Sequence, residues 1–215
     1  MTFSSFNKHI VKITKLDLPG EASHYKMAPL DRIKELTEES LKKKQVKRAS
    51  VMAMFYPNKD GETYLALILR KTSKGVHSAQ VGFPGGKQET SDLSSMHTAL
   101  RETQEEIGVS QDDIRVLKKL TQIYIPPSNF MVEPFLGVCE KTPKFVLQQT
   151  EVEALLEVKV SDLLDDRVFC NKRVSTSYAN DIEVPAYILN SHVVWGATAM
   201  MLSEVREILK LLYKH

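Results

Sequence analysis

A glycine turn followed by a helix with three glutamates on one face is the feature that most constrains this chain. The stretch runs from Gly85 to Val109. Because an α-helix advances about 100° per residue, Glu106 lies about 40° to one side of Glu102 and Glu105 about 60° to the other. The pattern predicts a helix with an acidic front and an apolar back, made of Leu93, Met96, Leu100 and Ile107.

The acidic front needs a source of positive charge. Like charges three and four residues apart destabilise an isolated helix by about 0.2–0.5 kcal/mol per pair, so Arg101, solvent or a cation must offset the repulsion. Carboxylate oxygens are hard ligands that suit Mg²⁺ or Mn²⁺, and these ions also accept phosphate oxygens of a substrate. The alternative is an ordinary solvated acidic face, and the helix alone favours that alternative.

The order of residues in this stretch resembles the Nudix box. Two departures concern its first half: Asp92 stands where the family has a glutamate, and eight residues rather than seven separate it from Arg101. Thr103 also replaces the usual aliphatic residue. The residues that match the box are Gly86, Arg101, Glu102, Glu105, Glu106, Gly108 and Val109.

The flanking residues are similar to the coenzyme A pyrophosphatase branch of this family. Arg70, His77 and the run Gln80–Gly86 resemble a further signature of that branch, although Ala79 replaces a glycine and Gly75 a second arginine. These two departures concern substrate contacts more than catalysis. Later segments also resemble the branch, so the resemblance covers roughly residues 48 to 212; the segments are 128–135, 151–160 and 194–199.

Hydrolysis of a diphosphate requires neutralised phosphate oxygens and a water placed in line with phosphorus. The resemblance implies that Mg²⁺ or Mn²⁺ supplies the positive charge. Glu102 and Glu106 are the expected metal ligands, and Glu105 is either a third ligand or bound through water. A main-chain carbonyl of Gly85 or Gly86 is a further candidate oxygen.

Catalysis also needs a base and a fixed arrangement of carboxylates. Arg101 is expected to orient the glutamates, because its planar guanidinium suits bidentate contacts; the alternative is an ordinary surface ion pair. Nudix enzymes take the base from the box or from a later loop. Glu105 and Glu151 are therefore both candidates, with Glu153 behind them.

Cations outside the carboxylate cluster are expected to bind the substrate. Arg70 matches the family signature, and Lys87 and Gly86 lie beside the box. A lysine at such a position is otherwise a solvated surface charge. His77 is assigned to the phosphate or to the shape of its loop by resemblance alone.

The branch resemblance implies cleavage of coenzyme A or its derivatives to 4′-phosphopantetheine and adenosine 3′,5′-bisphosphate. The first alternative is a Nudix hydrolase for another nucleoside diphosphate compound, such as ADP-ribose, NADH or a dinucleoside polyphosphate. The second is a catalytically silent nucleotide-binding module. Retention of all three box glutamates argues against the second alternative.

Composition indicates one globular domain and excludes some function classes. A net charge of +2 over 215 residues argues against a nucleic-acid partner bound through bulk charge. Two cysteines without metal-type spacing predict free thiols and a cytoplasmic location, and no apolar stretch approaches the ~20 residues of a membrane span. Residues 1–47 form a predicted N-terminal extension and 48–215 the Nudix domain; residues 1–27 pack either on the domain or on a second subunit in a homodimer.

The pattern of elements predicts an α+β fold. Helical spacing predicts an N-terminal helix over 30–44 and a final helix over 196–213, and a hairpin is expected to join strands at 51–56 and 63–69. Strands interrupted by a central helix read as an α+β sandwich. The Nudix resemblance implies an α/β/α sandwich with a mixed β-sheet; the further expected strands are 117–125, 132–139, 154–160, 166–172 and 182–189.

Overall fold

The computed structural model describes residues 1–29, 46–71, 80–175 and 181–213. The predicted helix over 30–44 and His77 lie outside these residues. The helices are α1 (Phe3–Ile10), α2 (Glu21–Tyr25), α3 (Ser95–Ile107), α4 (Val160–Leu164) and α5 (Gly196–Tyr213). The strands are β1 (Lys47–Pro57), β2 (Thr63–Arg70), β3 (Val81–Gly82), β4 (Gly85–Lys87), β5 (Ile114–Lys119), β6 (Ile123–Ile125), β7 (Phe130–Cys139), β8 (Val152–Lys159), β9 (Phe169–Val174), β10 (Ile182–Leu189) and β11 (His192–Trp195).

Two β-sheets organise the described part of the chain. The larger sheet has eight strands around the order β3-β2-β1-β7-β5, with β4 on β1, β6 on β7 and β8 on β2. Strand β1 pairs with β7 in parallel and with β2 and β4 in antiparallel orientation. The smaller sheet is antiparallel, in the order β11-β10-β9. The predicted α+β fold with a mixed sheet is confirmed.

The hairpin between β1 and β2 follows from its turn residues. Asn58 accepts hydrogen bonds at its side-chain oxygen from the amides of Asp60, at 3.0 Å, and Glu62, at 2.8 Å. Gly61 adopts a φ of 73°, which glycine reaches at no steric cost. The predicted hairpin is therefore confirmed, with Phe55 opposite Leu65.

Alternate residues of β1 face two separate cores, as the two-residue period of a strand requires. One core lies between the sheet and helices α1 and α5, and the other lies between the sheet and α3. Helices therefore cover both faces of the larger sheet. The first core takes Val51, Ala53 and Phe55 from β1, and the second takes Met52, Met54 and Tyr56.

The expected apolar back of α3 is partly wrong. Leu93 is 91% exposed and Met96 is 43% exposed. Leu93 precedes the helix, which begins at Ser95, so helical spacing does not apply to it. The buried side of α3 is instead formed by Thr98, Ala99, Thr103, Glu106 and Ile107.

Several strand boundaries also differ from the expectation. The stretch 117–125 divides into β5 and β6, and the strand expected at 154–160 ends where α4 begins at Val160. Residues 166–168 form a turn of 3₁₀-helix before β9. Strand β11 is not among the expected strands, although Val193, Val194 and Trp195 favour β-structure.

The segment 1–29 packs on the domain. Phe6 is fully buried, and its ring centroid lies 4.9 Å from that of Phe55 on β1. Glu204 on α5 is also fully buried and accepts hydrogen bonds from Thr121, at 3.1 Å from the amide and 2.6 Å from the hydroxyl. The same carboxylate accepts from the amide of Gly20 at 3.3 Å and lies 3.4 Å from His24 Nε2. Glu204 thus joins the N-terminal segment to α5.

We expect Glu204→Gln to lower the free energy of unfolding by about 1–3 kcal/mol, because the new amide nitrogen leaves buried donors facing each other. Burial opposes ionisation of Glu204, but the contact with His24 and the hydrogen bonds from Thr121 outweigh it and lower its pKa. Such a group stabilises the fold above its unfolded pKa, near 4.5, and loses that contribution as pH falls through the folded pKa. Urea unfolding between about pH 3 and pH 7 measures the difference, which should shrink at the acid end.

The matched control is Glu207→Gln on the same helix. Glu207 is partly exposed and pairs with the exposed Lys26, so its loss should cost no more than about 1 kcal/mol. A Glu204→Gln effect that stays constant over the whole pH range would contradict a buried ionised carboxylate.

Candidate active site

The start and end of α3 have side-chain and backbone caps. The Ser94 hydroxyl accepts a hydrogen bond from the amide of His97 at 3.1 Å, which satisfies one of the free donors of the first turn. Gly108 ends the helix with a φ of 75°, the left-handed conformation that favours glycine. These caps set the position of the glutamates along the sheet.

The loop between β7 and β8 is joined to the last turn of α3. The amide of Val146 donates to the Ile107 carbonyl at 3.0 Å, and the amide of Gln148 donates to the Glu106 carbonyl at 3.0 Å. Both carbonyls would otherwise lack a partner within the helix. The contacts bring the loop, which continues to Glu151, beside the acidic face.

The glycine turn of β4 lies against the acidic face without space for side chains. A Cβ at Gly86 would lie 2.4 Å from Glu102 Oε2, and a Cβ at Gly85 would lie 2.3 Å from the Ser50 carbonyl oxygen. Gly85 also has a φ of 148°. Glycine is therefore required at Gly85, where the close atom belongs to the backbone, and it gives the Glu102 carboxylate its room at Gly86.

Glu106 is the most deeply buried of the three glutamates, with 2% of its side chain exposed. Its Oε2 accepts a hydrogen bond from the amide of Gly85 at 2.7 Å, and its Oε1 lies 3.3 Å from Nη1 of Arg70. Burial, helped by the charges of Glu102 and Glu151, raises the pKa of Glu106 to about 7 against the opposing effects of Arg70 and the Gly85 amide. Positive charge is therefore favourable at this carboxylate.

Arg101 connects the carboxylates around the helix. Its guanidinium binds Asp92 through two hydrogen bonds, from Nε at 2.9 Å and from Nη2 at 3.1 Å. It also contacts Glu102 and Glu105, each at 3.0 Å, and donates to the Lys87 carbonyl at 3.2 Å. The bidentate contact expected of Arg101 is made with Asp92.

Asp92 is the residue whose role sequence reasoning missed. Its side chain is fully buried and accepts hydrogen bonds from the amide of Glu89 and the hydroxyl of Thr98, both at 2.9 Å. Its hydrogen bond from Arg101 holds the pKa of the carboxyl far below its usual range, against the effect of burial. The available signal was its place in the box, where five residues separate it from Gly86.

We expect Asp92→Asn to reduce metal affinity or activity by about 10- to 100-fold, the usual effect of losing a residue that supports metal ligands. Asparagine has one acceptor oxygen, so it cannot hold the Arg101 fork through both bonds. Steady-state kinetics and Mn²⁺ titration measure the effect. Asp181→Asn is the control, because Asp181 pairs with Arg173 on the surface; equal losses in both variants would contradict the assignment.

The other predicted site residues occupy different environments. Glu102 is largely buried, and burial raises its pKa against the effect of Arg101, whereas 56% of the Glu105 side chain is exposed. Glu151 is exposed just before β8, and its carbonyl accepts from the amide of Lys71 at 2.8 Å. Its charge acts on both Glu102 and Glu106. The structure thus brings Glu151 close to the box.

The carboxylates have the right chemistry for Mg²⁺ or Mn²⁺ but are paired with arginines. Among the described residues, no three His, Cys, Asp or Glu side chains are already arranged as a metal cluster. Glu105 is held by Arg101 and Glu106 by Arg70. Because Gly86 has no Cβ, the Glu102 carboxylate can pack directly against its backbone. The donor set fits a hard divalent cation, and the individual ligand roles remain predictions.

A cleft of about 260 Å³ lies next to this cluster. Strand β4 forms part of its wall, and Arg70 and Lys87 contribute cationic side chains to it. Most of the remaining wall is apolar and comes from the larger sheet, the β6–β7 turn, the end of β11 and the start of α5. The main apolar residues are Phe83, Ile125, Phe130, Val132, Trp195 and Met201.

The NUDIX domain model matches residues 46–176, which is more than half of the chain. The chain belongs to the Nudix family. This Nudix domain includes the whole of α3, the glycine turn and Glu151. Family membership makes the chain a pyrophosphohydrolase that acts on nucleoside diphosphate compounds.

Two curated relatives illustrate the range of the similarity. The uncharacterized Nudix hydrolase NudL of Pectobacterium atrosepticum is 32% identical over 152 residues, which are 66% of this Nudix chain and 72% of the relative. The mitochondrial coenzyme A diphosphatase NUDT8 of Homo sapiens is 30% identical over 128 residues, or 59% of this chain and 54% of the human protein. Both identities are low for assigning a substrate.

A solved structure supports the fold. RenU, a Nudix hydrolase from M. smegmatis, superposes with a TM-score of 0.53 at 13% identity, over 77% of this Nudix chain and 86% of RenU. At that identity the likeness concerns the fold alone. In the described ranges, no helix has both the length and the apolar character needed to span a bilayer.

Proposed function

We propose that this Nudix hydrolase cleaves the diphosphate of coenzyme A or its derivatives to 4′-phosphopantetheine and adenosine 3′,5′-bisphosphate. The observation that carries the proposal is the glutamate face of α3, which lies against β4, the strand that also forms a wall of the cleft with Arg70 and Lys87. Carboxylates for a metal and cations for phosphates are thereby adjacent. The human relative named as a coenzyme A diphosphatase supports the choice of substrate.

In this proposal, Glu102 and Glu106 hold Mg²⁺ or Mn²⁺, with Glu105 as a third ligand or bound through water. The cation, when bound, neutralises charge that develops on the phosphate oxygens. The carboxylate of Glu105 or Glu151 removes a proton from the attacking water. Arg101, held by Asp92, keeps the glutamates in position.

The phosphates of the substrate lie near Arg70, Lys87 and Gly86. Arg70 has a planar fork that matches two phosphate oxygens, whereas Lys87 acts as a single mobile charge. Gly86 allows the phosphates to approach the backbone. His77 retains its proposed phosphate contact by resemblance.

The apolar part of the cleft favours coenzyme A over smaller polar substrates. Phe83, Phe130 and Trp195 offer apolar surface to the pantetheine arm, which the other candidate substrates lack. ADP-ribose would place a ribose with several hydroxyl groups there instead. It remains the second candidate, together with NADH and dinucleoside polyphosphates.

We also propose that the enzyme works in the cytoplasm. Cys139 and Cys170 are free thiols, and a reducing compartment keeps cysteines in that state. The buried Cys139 donates to the Lys141 carbonyl, which is consistent with a structural thiol.

Product analysis tests the proposed function. The purified protein is incubated with coenzyme A, ADP-ribose, NADH or a dinucleoside polyphosphate in Mg²⁺ or Mn²⁺, and the products are identified by chromatography and mass spectrometry. Adenosine 3′,5′-bisphosphate from coenzyme A at the highest kcat/KM supports the proposal. Preferred turnover of another diphosphate keeps the Nudix hydrolase and rejects coenzyme A, whereas binding without turnover indicates a silent module.

A further inference from the structure

We propose that Arg70 takes the place of a divalent cation at Glu106 in the metal-free protein, so that metal binding releases this arginine for the substrate. The inference rests on the proposed metal role of Glu106. It assigns to Arg70 a positioning role: the metal binds at Glu106 first, and the released arginine then binds the substrate.

The contacts of Arg70 are those of a cation in a ligand shell. Its Nη2 donates to the Gly85 carbonyl oxygen at 2.6 Å, and its Nη1 lies 3.3 Å from Glu106 Oε1. Carboxylate and backbone carbonyl oxygens are the ligands that hard divalent ions prefer. The second oxygen of Glu106 is already bound to the amide of Gly85. A metal that binds Glu106 Oε1 and the Gly85 carbonyl would use the same two oxygens as the guanidinium.

Electrostatics disfavours the presence of both occupants at these oxygens. Glu106 is almost fully buried, and a buried carboxylate has to have a positive partner or lose its charge. One guanidinium provides that partner. A divalent ion at the same oxygens would lie within a few ångströms of the arginine, where like charges repel strongly in a partly buried site.

Arg70 and Arg101 differ in how firmly they are held. Arg101 is 15% exposed and is bound at two points by the fully buried Asp92. Arg70 is 31% exposed and lines the cleft beside Lys87. A small rotation of its side chain would carry the guanidinium from Glu106 into that cleft. Arg101 can therefore stay in place when a metal binds, while Arg70 leaves and becomes available to phosphate oxygens.

The test measures the affinity for Mn²⁺ in the absence of substrate. Isothermal titration calorimetry gives the binding constant, and electron paramagnetic resonance of free Mn²⁺ checks it. We expect Arg70→Gln to bind Mn²⁺ at least about five-fold more tightly than the wild type, since a coupling between two ligands of this kind is usually that large. The same variant should have a raised KM for its diphosphate substrate. A residue that merely supported the fold would not tighten metal binding.

Lys71→Gln is the matched control, because it removes one positive charge from the adjacent residue. Its Mn²⁺ affinity should change less than two-fold, on the order of what a screened surface charge contributes. Equal tightening in both variants would mean a general charge effect and would overturn the proposal. Unchanged or weaker Mn²⁺ binding by Arg70→Gln, or no Mn²⁺ binding by any of the proteins, would overturn it as well.

Thermal unfolding gives a second readout and a check on folding. Without metal, Arg70→Gln should melt below the wild type, because Glu106 loses its partner; saturating Mn²⁺ should raise its Tm by more than it raises that of the wild type. If Arg70→Gln does not fold, Arg70→Lys replaces it: lysine lacks the planar fork that places two nitrogens on two separate oxygens, so tighter Mn²⁺ binding is again expected and unchanged binding overturns the proposal. Tighter Mn²⁺ binding by the Arg70 variant, in a protein that does not hydrolyse coenzyme A, would reject the proposed substrate and leave this inference standing.

Discussion

Glu106→Gln is expected to lower kcat/KM for the diphosphate substrate by at least about 10²-fold, with the fold intact. Glutamine has nearly the shape of glutamate, but it is neutral and presents one nitrogen donor in place of an acceptor. In the buried position beside Arg70 and the Gly85 amide, that nitrogen would face groups that already donate. Metal-dependent kinetics with coenzyme A and ADP-ribose measure the loss.

Glu140→Gln is the control for this variant. Glu140 pairs with Arg115 on the surface, and both side chains are more than 40% exposed. Its removal should leave kcat/KM unchanged, while circular dichroism verifies that Glu106→Gln is folded. Activity of Glu106→Gln within ten-fold of the wild type would rule out Glu106 as an essential ligand.

Gly85→Ala is expected to have the largest effect on stability, lowering the free energy of unfolding by at least about 3 kcal/mol. The added Cβ would lie 2.3 Å from the Ser50 carbonyl oxygen and 2.5 Å from Val51 Cα. Both atoms belong to the backbone of β1, so no side-chain rotation relieves the contact. The φ of 148° adds strain. Thermal or urea unfolding measures the change.

Gly61→Ala separates the clash from the backbone strain. Gly61 also has a positive φ, at 73°, but a Cβ there would meet no atom within 4 Å. We expect a loss of about 1–2 kcal/mol at this turn. Equal losses of unfolding free energy in Gly61→Ala and Gly85→Ala would show that the close approach of β4 to β1 does not add to the cost of a Cβ at Gly85.

The acidic face of α3 could be predicted from sequence, but the differences among its glutamates could not. Periodicity places Glu102, Glu105 and Glu106 on one face. In the structure the exposed fractions of their side chains are 14%, 56% and 2%. The difference arises because the glycine turn of β4 covers Glu106, and a contact between two separate elements leaves no trace in helical spacing.

Local patterns also failed where an interaction over distance decides the structure. Leu93 fits the apolar spacing of the helix, yet it lies before the capping residue Ser94 and is exposed. Asp92 was noted as a departure from the box, but its bond to Arg101 needs the loop to fold back on the helix. The hairpin and the final helix were predicted correctly because their signals are local turns and periodicity.

The two hydrogen bonds from Val146 and Gln148 to the end of α3 fix the β7–β8 loop to the helix just before Glu151. They leave two residues between Gln148 and Glu151, so the distance from the helix to that carboxylate is set by a very short piece of chain. Insertions before Phe145, whose ring packs against that of Tyr56, should be tolerated as ordinary loop variation. An insertion after Gln148 would move Glu151 away from the box. The two parts of this loop should therefore differ sharply in their tolerance of insertions.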